Sequence, residues 1–69
     1  MWRWELTSGD RRVFEAVGGR FGIPIGELIE LADWARHSGA KLAELRQKVG
    51  DGWARMLVSI LARYPVLVP

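Results

Sequence analysis

The single histidine of the chain, His37, is the first residue to examine for catalytic chemistry. Asp33 precedes it by four residues, a spacing that places both side chains on one face of a helix. Such a pair can act as a general base. However, Ser8, Ser38 and Ser59 have no second histidine to activate them, and the chain has no cysteine. We therefore interpret His37 as a residue that stabilises the C-terminus of a helix, and we expect no enzymatic activity.

Metal and nucleotide sites are not indicated either. One histidine and scattered carboxylates give no cluster with the spacing of a zinc or calcium site. The absence of cysteine excludes disulfides and thiolate ligands. The glycine-rich segment 18–22 lacks the Lys-Ser/Thr pair of a phosphate-binding loop and follows a helical pattern. We expect no cofactor.

The tryptophan content is the most informative part of the composition. Four of the 69 residues are tryptophan, and each indole can bury on the order of 150–250 Å². A core this small is not expected to hide all four rings, so the surplus indicates an interface. A homodimer is the simplest arrangement that covers it. The predicted interface residues are Trp2, Trp4, Leu6, Trp34, Trp53, Val66 and Leu67.

The charge pattern gives weaker guidance. The net charge of +2 arises from ten basic and eight acidic residues that are interleaved along the chain, which only mildly favours an anionic partner. The apolar segment 56–62 is too short to span a bilayer, and the first residues lack the apolar core of a secretion signal. We expect a cytoplasmic protein without a membrane span.

The hydrophobic periodicity predicts a mainly α fold in one small domain, residues 1–69, with three to four short helices. Alternation over residues 2–6 predicts a short N-terminal β-strand, and residues 65–69 read as an apolar extended tail. The predicted helices are 10–17, 24–37, 40–49 and 52–64. Residues 7–10 supply N-cap chemistry for the first helix, Gly18 and Gly19 are expected to fray its end, and Gly22 is a plausible stop.

Details of the later helices are also predicted. Asp33 is expected on the solvent-exposed face of the second helix, and Glu44 is expected to pair with Lys48 four residues later. Asp51 is the expected cap of the fourth helix, whose apolar face is predicted to include Met56.

The order strand, helix, turn, helix over residues 1–37 resembles the ribbon-helix-helix family of DNA-binding repressors. Segment 20–29, RFGIPIGELI, is similar to the glycine-centred turn and second helix of that family. The resemblance implies an intertwined dimer whose paired strands enter the major groove. It implies that Arg3, Glu5 and Thr7 face the DNA, and that backbone N–H groups near Ile25 and Gly26 hold a phosphate.

Two functions are therefore open: a dimeric nucleic-acid-binding transcriptional regulator, or a protein–protein interaction module such as an adaptor, an assembly factor or an inhibitor of a larger enzyme. A helix-turn-helix with residues 40–49 as recognition helix is a second route to DNA binding. Adsorption of the amphipathic fourth helix to a membrane surface is a weaker alternative, because its polar face carries only Arg55 and Arg63 as charged residues.

Overall fold

The computed structural model describes residues 6–64, which form four helices. They are α1 (Ser8–Phe21), α2 (Ile25–Ala35), α3 (Gly39–Val49) and α4 (Asp51–Leu61). The prediction of a mainly α fold with three to four short helices is confirmed, and the described residues contain four. No strand occurs within residues 6–64, and Leu6 belongs to no regular element. The remainder of the predicted strand, residues 2–5, and the predicted tail 65–69 lie outside the described residues.

The N-terminus of α1 is capped as its sequence predicts. The Thr7 side chain accepts a hydrogen bond from the Asp10 backbone N–H at 3.2 Å, and the Thr7 backbone is extended with φ −61° and ψ 158°. A hydroxyl at this position satisfies one of the N–H groups that the first helical turn leaves without an intrahelical partner. Asp10 also places negative charge at the positive end of the helix dipole.

The prediction that Gly18 and Gly19 fray the end of α1 is wrong. The helix continues through both glycines to Phe21, and it ends at Gly22, which has the left-handed φ of 68°. Gly18 is buried, and a Cβ atom added there would lie 2.6 Å from the Ile23 carbonyl oxygen. Its lack of a side chain therefore lets the chain turn back tightly against the helix.

The junction between α2 and α3 is short, and its hydrogen bonds join residues that are close together in the sequence. Helix α2 ends at Ala35, two residues before the predicted end, where the Arg36 and His37 N–H groups bond three residues back, to Asp33 and Trp34. The Ser38 side chain then accepts a hydrogen bond from the Lys41 N–H at 3.3 Å and caps α3. Only three residues separate the two helices, so they must be neighbours in the fold.

A single residue, Gly50, separates α3 from α4. Its φ of 89° and ψ of 162° are accessible to glycine and strained for other residues. Its N–H bonds the Arg46 carbonyl and its own carbonyl accepts from Ala54, so both helices keep their hydrogen bonds across the turn. Asp51, predicted as the cap of α4, is instead its first residue, and α4 ends at Leu61 rather than at residue 64.

All four helices contribute to one hydrophobic core, in which no side chain is more than 8% exposed. The core consists of Phe14, Val17, Leu28, Ile29, Ala32, Ala35, Leu45, Val49, Ala54, Leu57, Ile60 and Leu61. The prediction that Met56 belongs to the buried face of α4 is wrong, because 47% of its surface is exposed. No tryptophan of residues 6–64 is fully buried, so the aliphatic residues and Phe14 form the core without an indole.

Candidate functional site

Trp53 lies half-exposed between two depressions in the surface of the bundle. One has a volume of about 400 Å³ and the other about 230 Å³, and the indole lines both. We call this region the Trp53 surface. Its members come from the second half of α1, the end of α3 and the beginning of α4: Ala16, Arg20, Val49, Gly52, Trp53 and Met56.

The fold explains why Trp53 lies where three helices meet. The one-residue turn at Gly50 places Trp53 in the first turn of α4, beside the last residue of α3. Helix α1 runs antiparallel to α4, because Asp10 near its start contacts Arg63 while Val17 lines a depression with Trp53. Part of the indole packs on the core. Its remaining surface faces the two depressions.

Arg20 is the charged member of the Trp53 surface. Its guanidinium carbon lies 5.7 Å from the centre of the Phe21 ring, within the range of a cation–π contact. Within residues 6–64 it forms no ion pair with a carboxylate. The neighbouring cations Arg46 and Arg55 differ, since both contact Asp51, at 3.1 Å and 3.8 Å. The Arg20 guanidinium can therefore donate hydrogen bonds to a carboxylate that does not belong to residues 6–64.

A second concave region, the α2–α3 groove, shares no lining residue with the Trp53 surface and has a volume of about 450 Å³. Its floor is apolar and contains Ile23, Leu31 and Trp34. Its two walls are charged and exposed. The α2 wall carries Glu27 and Glu30, and the α3 wall carries Lys41, Glu44 and Lys48.

Helical spacing explains this arrangement of the groove. Residues 27, 30, 31 and 34 follow the i, i+3, i+4, i+7 pattern of one face of α2, and residues 41, 44 and 48 do the same on α3. The predicted pair of Glu44 with Lys48 is not formed. Glu44 instead contacts Lys41 at 3.4 Å, three residues earlier. Within residues 6–64, Glu27, Glu30 and Lys48 form no ion pair.

The prediction that Asp33 lies on the solvent-exposed face of α2 is wrong. Asp33 is fully buried and binds the Arg36 guanidinium at 2.9 Å. His37 is exposed, and its ring lies 5.6 Å from that of Trp34. The periodicity of α2 did not reveal this burial, because the spacing of residues along one helix does not show which of its faces the other helices cover.

Arg36 belongs to a polar network that joins the ends of three helices. Its second terminal nitrogen donates to the Tyr64 carbonyl at 2.7 Å. The Tyr64 hydroxyl donates to the Asp10 carboxylate and accepts from the Thr7 N–H at 3.1 Å. Arg63 donates to the other Asp10 oxygen at 3.0 Å. The start of α1, the end of α2 and the segment after α4 are thereby tied together.

The environment of Asp10 favours its charged form. The hydrogen bond from the Tyr64 hydroxyl lowers the pKa of the Asp10 carboxyl below its ordinary value of 3.8, and the positive charge of Arg63 acts in the same direction against the opposing effect of burial. Each of these contacts serves another group of the same chain. We therefore assign the network to the stability of the fold and not to chemistry on a ligand.

The structure places the other predicted site residues as follows. Thr7 is exposed, but its hydroxyl and N–H are engaged in the α1 cap and with Tyr64. Ile25 and Gly26 are half-buried in the first turn of α2, and no side chain caps that turn. Arg3 and Glu5 lie outside the described residues, as do Trp2, Trp4, Val66 and Leu67. The predicted phosphate contacts and DNA-facing residues stay predictions.

Of the predicted interface residues, three fall within the described part of the chain. Leu6 and Trp53 are half-buried against the core, and Trp34 lies half-exposed in the α2–α3 groove. They are not brought together into one surface. Composition did not predict Arg20 or Met56 as members of a binding surface, although the exposure of Met56 could have been suspected from its position at the margin of the apolar face of α4.

Among residues 6–64, no three histidine, aspartate or glutamate side chains are placed to hold a metal ion. No helix in this range combines the length and apolar character that crossing a bilayer requires. In comparisons with known proteins, no family model, curated protein or solved structure matches the chain.

Proposed function

We propose that this chain is a non-catalytic protein-interaction module that binds an apolar, acidic segment of another protein at the Trp53 surface. The observation that carries the proposal is the position of Trp53, half-exposed between two depressions beside the exposed Met56. Tryptophan is the residue most enriched among the energetic centres of protein interfaces. Methionine next to it provides an adaptable apolar contact.

The shape of the Trp53 surface supports a polypeptide as the ligand. Two shallow depressions on either side of one ring can each accept an apolar side chain, as when two residues one turn apart on a helix bind a groove. Apolar area that the peptide and the Trp53 surface bury together contributes roughly 25 cal/mol per Å² to the free energy of binding. Truncation of a central tryptophan typically costs about 2 kcal/mol or more, which corresponds to an affinity loss of about 30-fold.

The charge of the surface defines the chemistry of the partner. Arg20 has no carboxylate partner within residues 6–64, and a guanidinium forms strong two-point hydrogen bonds with a carboxylate. A partner with Asp or Glu beside its apolar residues would satisfy Arg20, whereas a basic partner would be repelled.

The test is selection of binding peptides from a displayed library of helical sequences, with the intact chain as the target. We expect the selected peptides to carry apolar residues at helical spacing together with Asp or Glu. Met56→Glu and Arg20→Glu should each weaken their binding by about tenfold or more. The matched controls are Gln47→Glu on α3 and Arg11→Glu on α1, which add the same charge at exposed positions on helix faces that turn away from the surface.

Two results would refute the proposal. One is a library from which no peptide is enriched. The other is a set of selected peptides whose affinity falls equally with the surface variants and with their matched controls, because binding would then follow overall charge and not the Trp53 surface.

The second candidate function, a nucleic-acid-binding regulator, is supported by the exposed arginines of α1. Arg11, Arg12 and Arg20 lie on this helix with Glu15 as its only exposed acid, and arginine binds phosphate oxygens well. An electrophoretic shift of duplex DNA at low salt, weakened by Arg12→Glu, would support it. If the protein does not retard the DNA in this assay, even at low ionic strength, DNA binding is refuted and the protein-interaction module remains the proposed function.

A further inference from the structure

We infer that the chain forms a two-fold symmetric dimer through the α2–α3 groove, with a second copy of the chain as the occupant. The groove is separate from the Trp53 surface, so this inference does not rest on the function proposed above. It follows from the distribution of charge on the two walls and from the apolar floor between them.

The two walls of the groove carry opposite net charge. The α2 wall has two exposed carboxylates, Glu27 and Glu30, and neither forms an ion pair within residues 6–64. The α3 wall has Lys41 and Lys48 against one carboxylate, Glu44, which contacts Lys41 at 3.4 Å. The acidic wall and the basic wall therefore lie on either side of one apolar strip.

The pattern of charge on the groove of one copy is complementary to the same groove on a second copy. A two-fold axis that runs along the groove, in the plane of contact, places the α2 wall of each copy over the α3 wall of the other. Acidic residues then face basic residues twice, once on each side of the strip. An axis across the groove would place acidic wall on acidic wall, so charge also selects the orientation. A second copy necessarily carries an acidic wall and a basic wall at the matching spacing. An unrelated protein would carry that arrangement only by coincidence.

The apolar floor provides the centre of the contact. Leu31 and Trp34 are half-exposed along the middle of the groove, and in the dimer each would pack against the same residues of the second copy. Apolar and aromatic residues at the centre with charged residues at the rim are the usual anatomy of a protein interface. In this dimer the α2–α3 groove is the surface through which Trp34, a predicted interface residue, contacts the second copy.

The test uses the intact chain and charge reversal on one wall at a time. Glu27→Lys with Glu30→Lys makes both walls basic, and Lys41→Glu with Lys48→Glu makes both walls acidic. All four positions are exposed, and far-UV circular dichroism checks that each variant keeps its helices. Sedimentation equilibrium over a range of concentrations then measures the Kd of each dimer. The control reverses the charge of two exposed residues outside the groove, Arg12→Glu and Arg55→Glu, in one chain.

We expect the wild-type chain and the control to dimerise, and each single-wall variant to have a dimer Kd raised by about tenfold or more. Mixing the two single-wall variants should restore association as a heterodimer, because each basic wall then faces an acidic wall. A chain that carries all four substitutions should dimerise again, since its walls are exchanged but still complementary.

The inference is overturned if the wild-type chain is monomeric at every concentration. It is equally overturned if both single-wall variants dimerise as the wild type does, or if neither the mixture nor the four-substitution chain regains association. The last result would show that the substitutions act through something other than the pairing of opposite walls.

Discussion

Replacement of Gly18 by alanine tests the closest backbone approach in this fold. A Cβ atom at this position would lie 2.6 Å from the Ile23 carbonyl oxygen, so the two atoms must separate by about 0.8 Å to reach an ordinary contact of 3.4 Å. The carbonyl belongs to the backbone and cannot rotate away. Its residue is also held in place, because the Ile23 N–H bonds the Gly18 carbonyl at 2.9 Å and its side chain packs on the core.

Gly19 provides the matched control. It is the next residue of the same helix, it is exposed, and a Cβ atom there would meet nothing within 4 Å. Both substitutions gain about 0.5–1 kcal/mol from the better helix propensity of alanine and the lower entropy of the unfolded chain. Only Gly18→Ala adds the steric cost of inserting a methyl group into a filled space, about 1–3 kcal/mol. The difference between the two variants therefore isolates that cost.

Thermal unfolding followed by far-UV circular dichroism measures the difference. For a domain of this size each 1 kcal/mol shifts the Tm by about 4–8 °C. Gly19→Ala should raise the Tm of the wild-type chain, and Gly18→Ala should melt at least about 4 °C below Gly19→Ala. If the two variants have the same Tm, the reversal of the chain at Gly22 does not depend on the missing side chain at Gly18, and the reasoning is refuted.

Three further predictions concern the polar network and the turn between α3 and α4. Because the folded pKa of Asp10 is lowered, its contribution to stability is complete above the ordinary value of 3.8 and is lost as the pH falls through the folded value. The difference in Tm between the wild type and Asp10→Asn should therefore stay constant near neutral pH and narrow as the pH falls below about 5, and a difference that stays constant in strong acid would contradict this. Arg36→Ala takes the guanidinium from the buried Asp33 and should cost about 3–5 kcal/mol in urea denaturation, with Arg36→Lys intermediate; an unchanged midpoint for the alanine variant would refute the role of the pair. Gly50→Ala forces a side chain into a backbone conformation with φ 89° and should cost about 1–3 kcal/mol, whereas the control Gly9→Ala, inside α1 and without a neighbour within 4 Å, should be neutral or stabilising in the same assay.

The sequence predicted best those features that depend on residues close together in the chain. The four helices follow from apolar spacing, and the cap at Thr7 follows from a hydroxyl group that reaches the N–H three residues later. The stop at Gly22 follows from the freedom of glycine at positive φ. Each of these interactions spans at most four or five residues, so the local sequence contains all of its participants.

The residues of the Trp53 surface and of the α2–α3 groove could be predicted only in part from the sequence. Trp34 and Trp53 could be singled out by residue type, because a small core has no room for many indoles. The sequence did not show that they lie on different surfaces. It also did not show that Arg20, from another helix, lines one of the depressions beside Trp53. Such neighbours are set by how the helices pack, and that packing is decided by the whole core at once.

The sequence by itself determined that the described part of the chain is helical, where its four helices lie approximately, and that Thr7 caps the first of them. Only the tertiary structure decided that Asp33 is buried, that Met56 is exposed and that Gly18 meets the Ile23 carbonyl. The physical reason is the same in each case. A helix presents every side chain on its surface, and which of them become covered depends on elements that arrive from distant parts of the sequence, such as Tyr64, which contacts Asp10 across 54 positions.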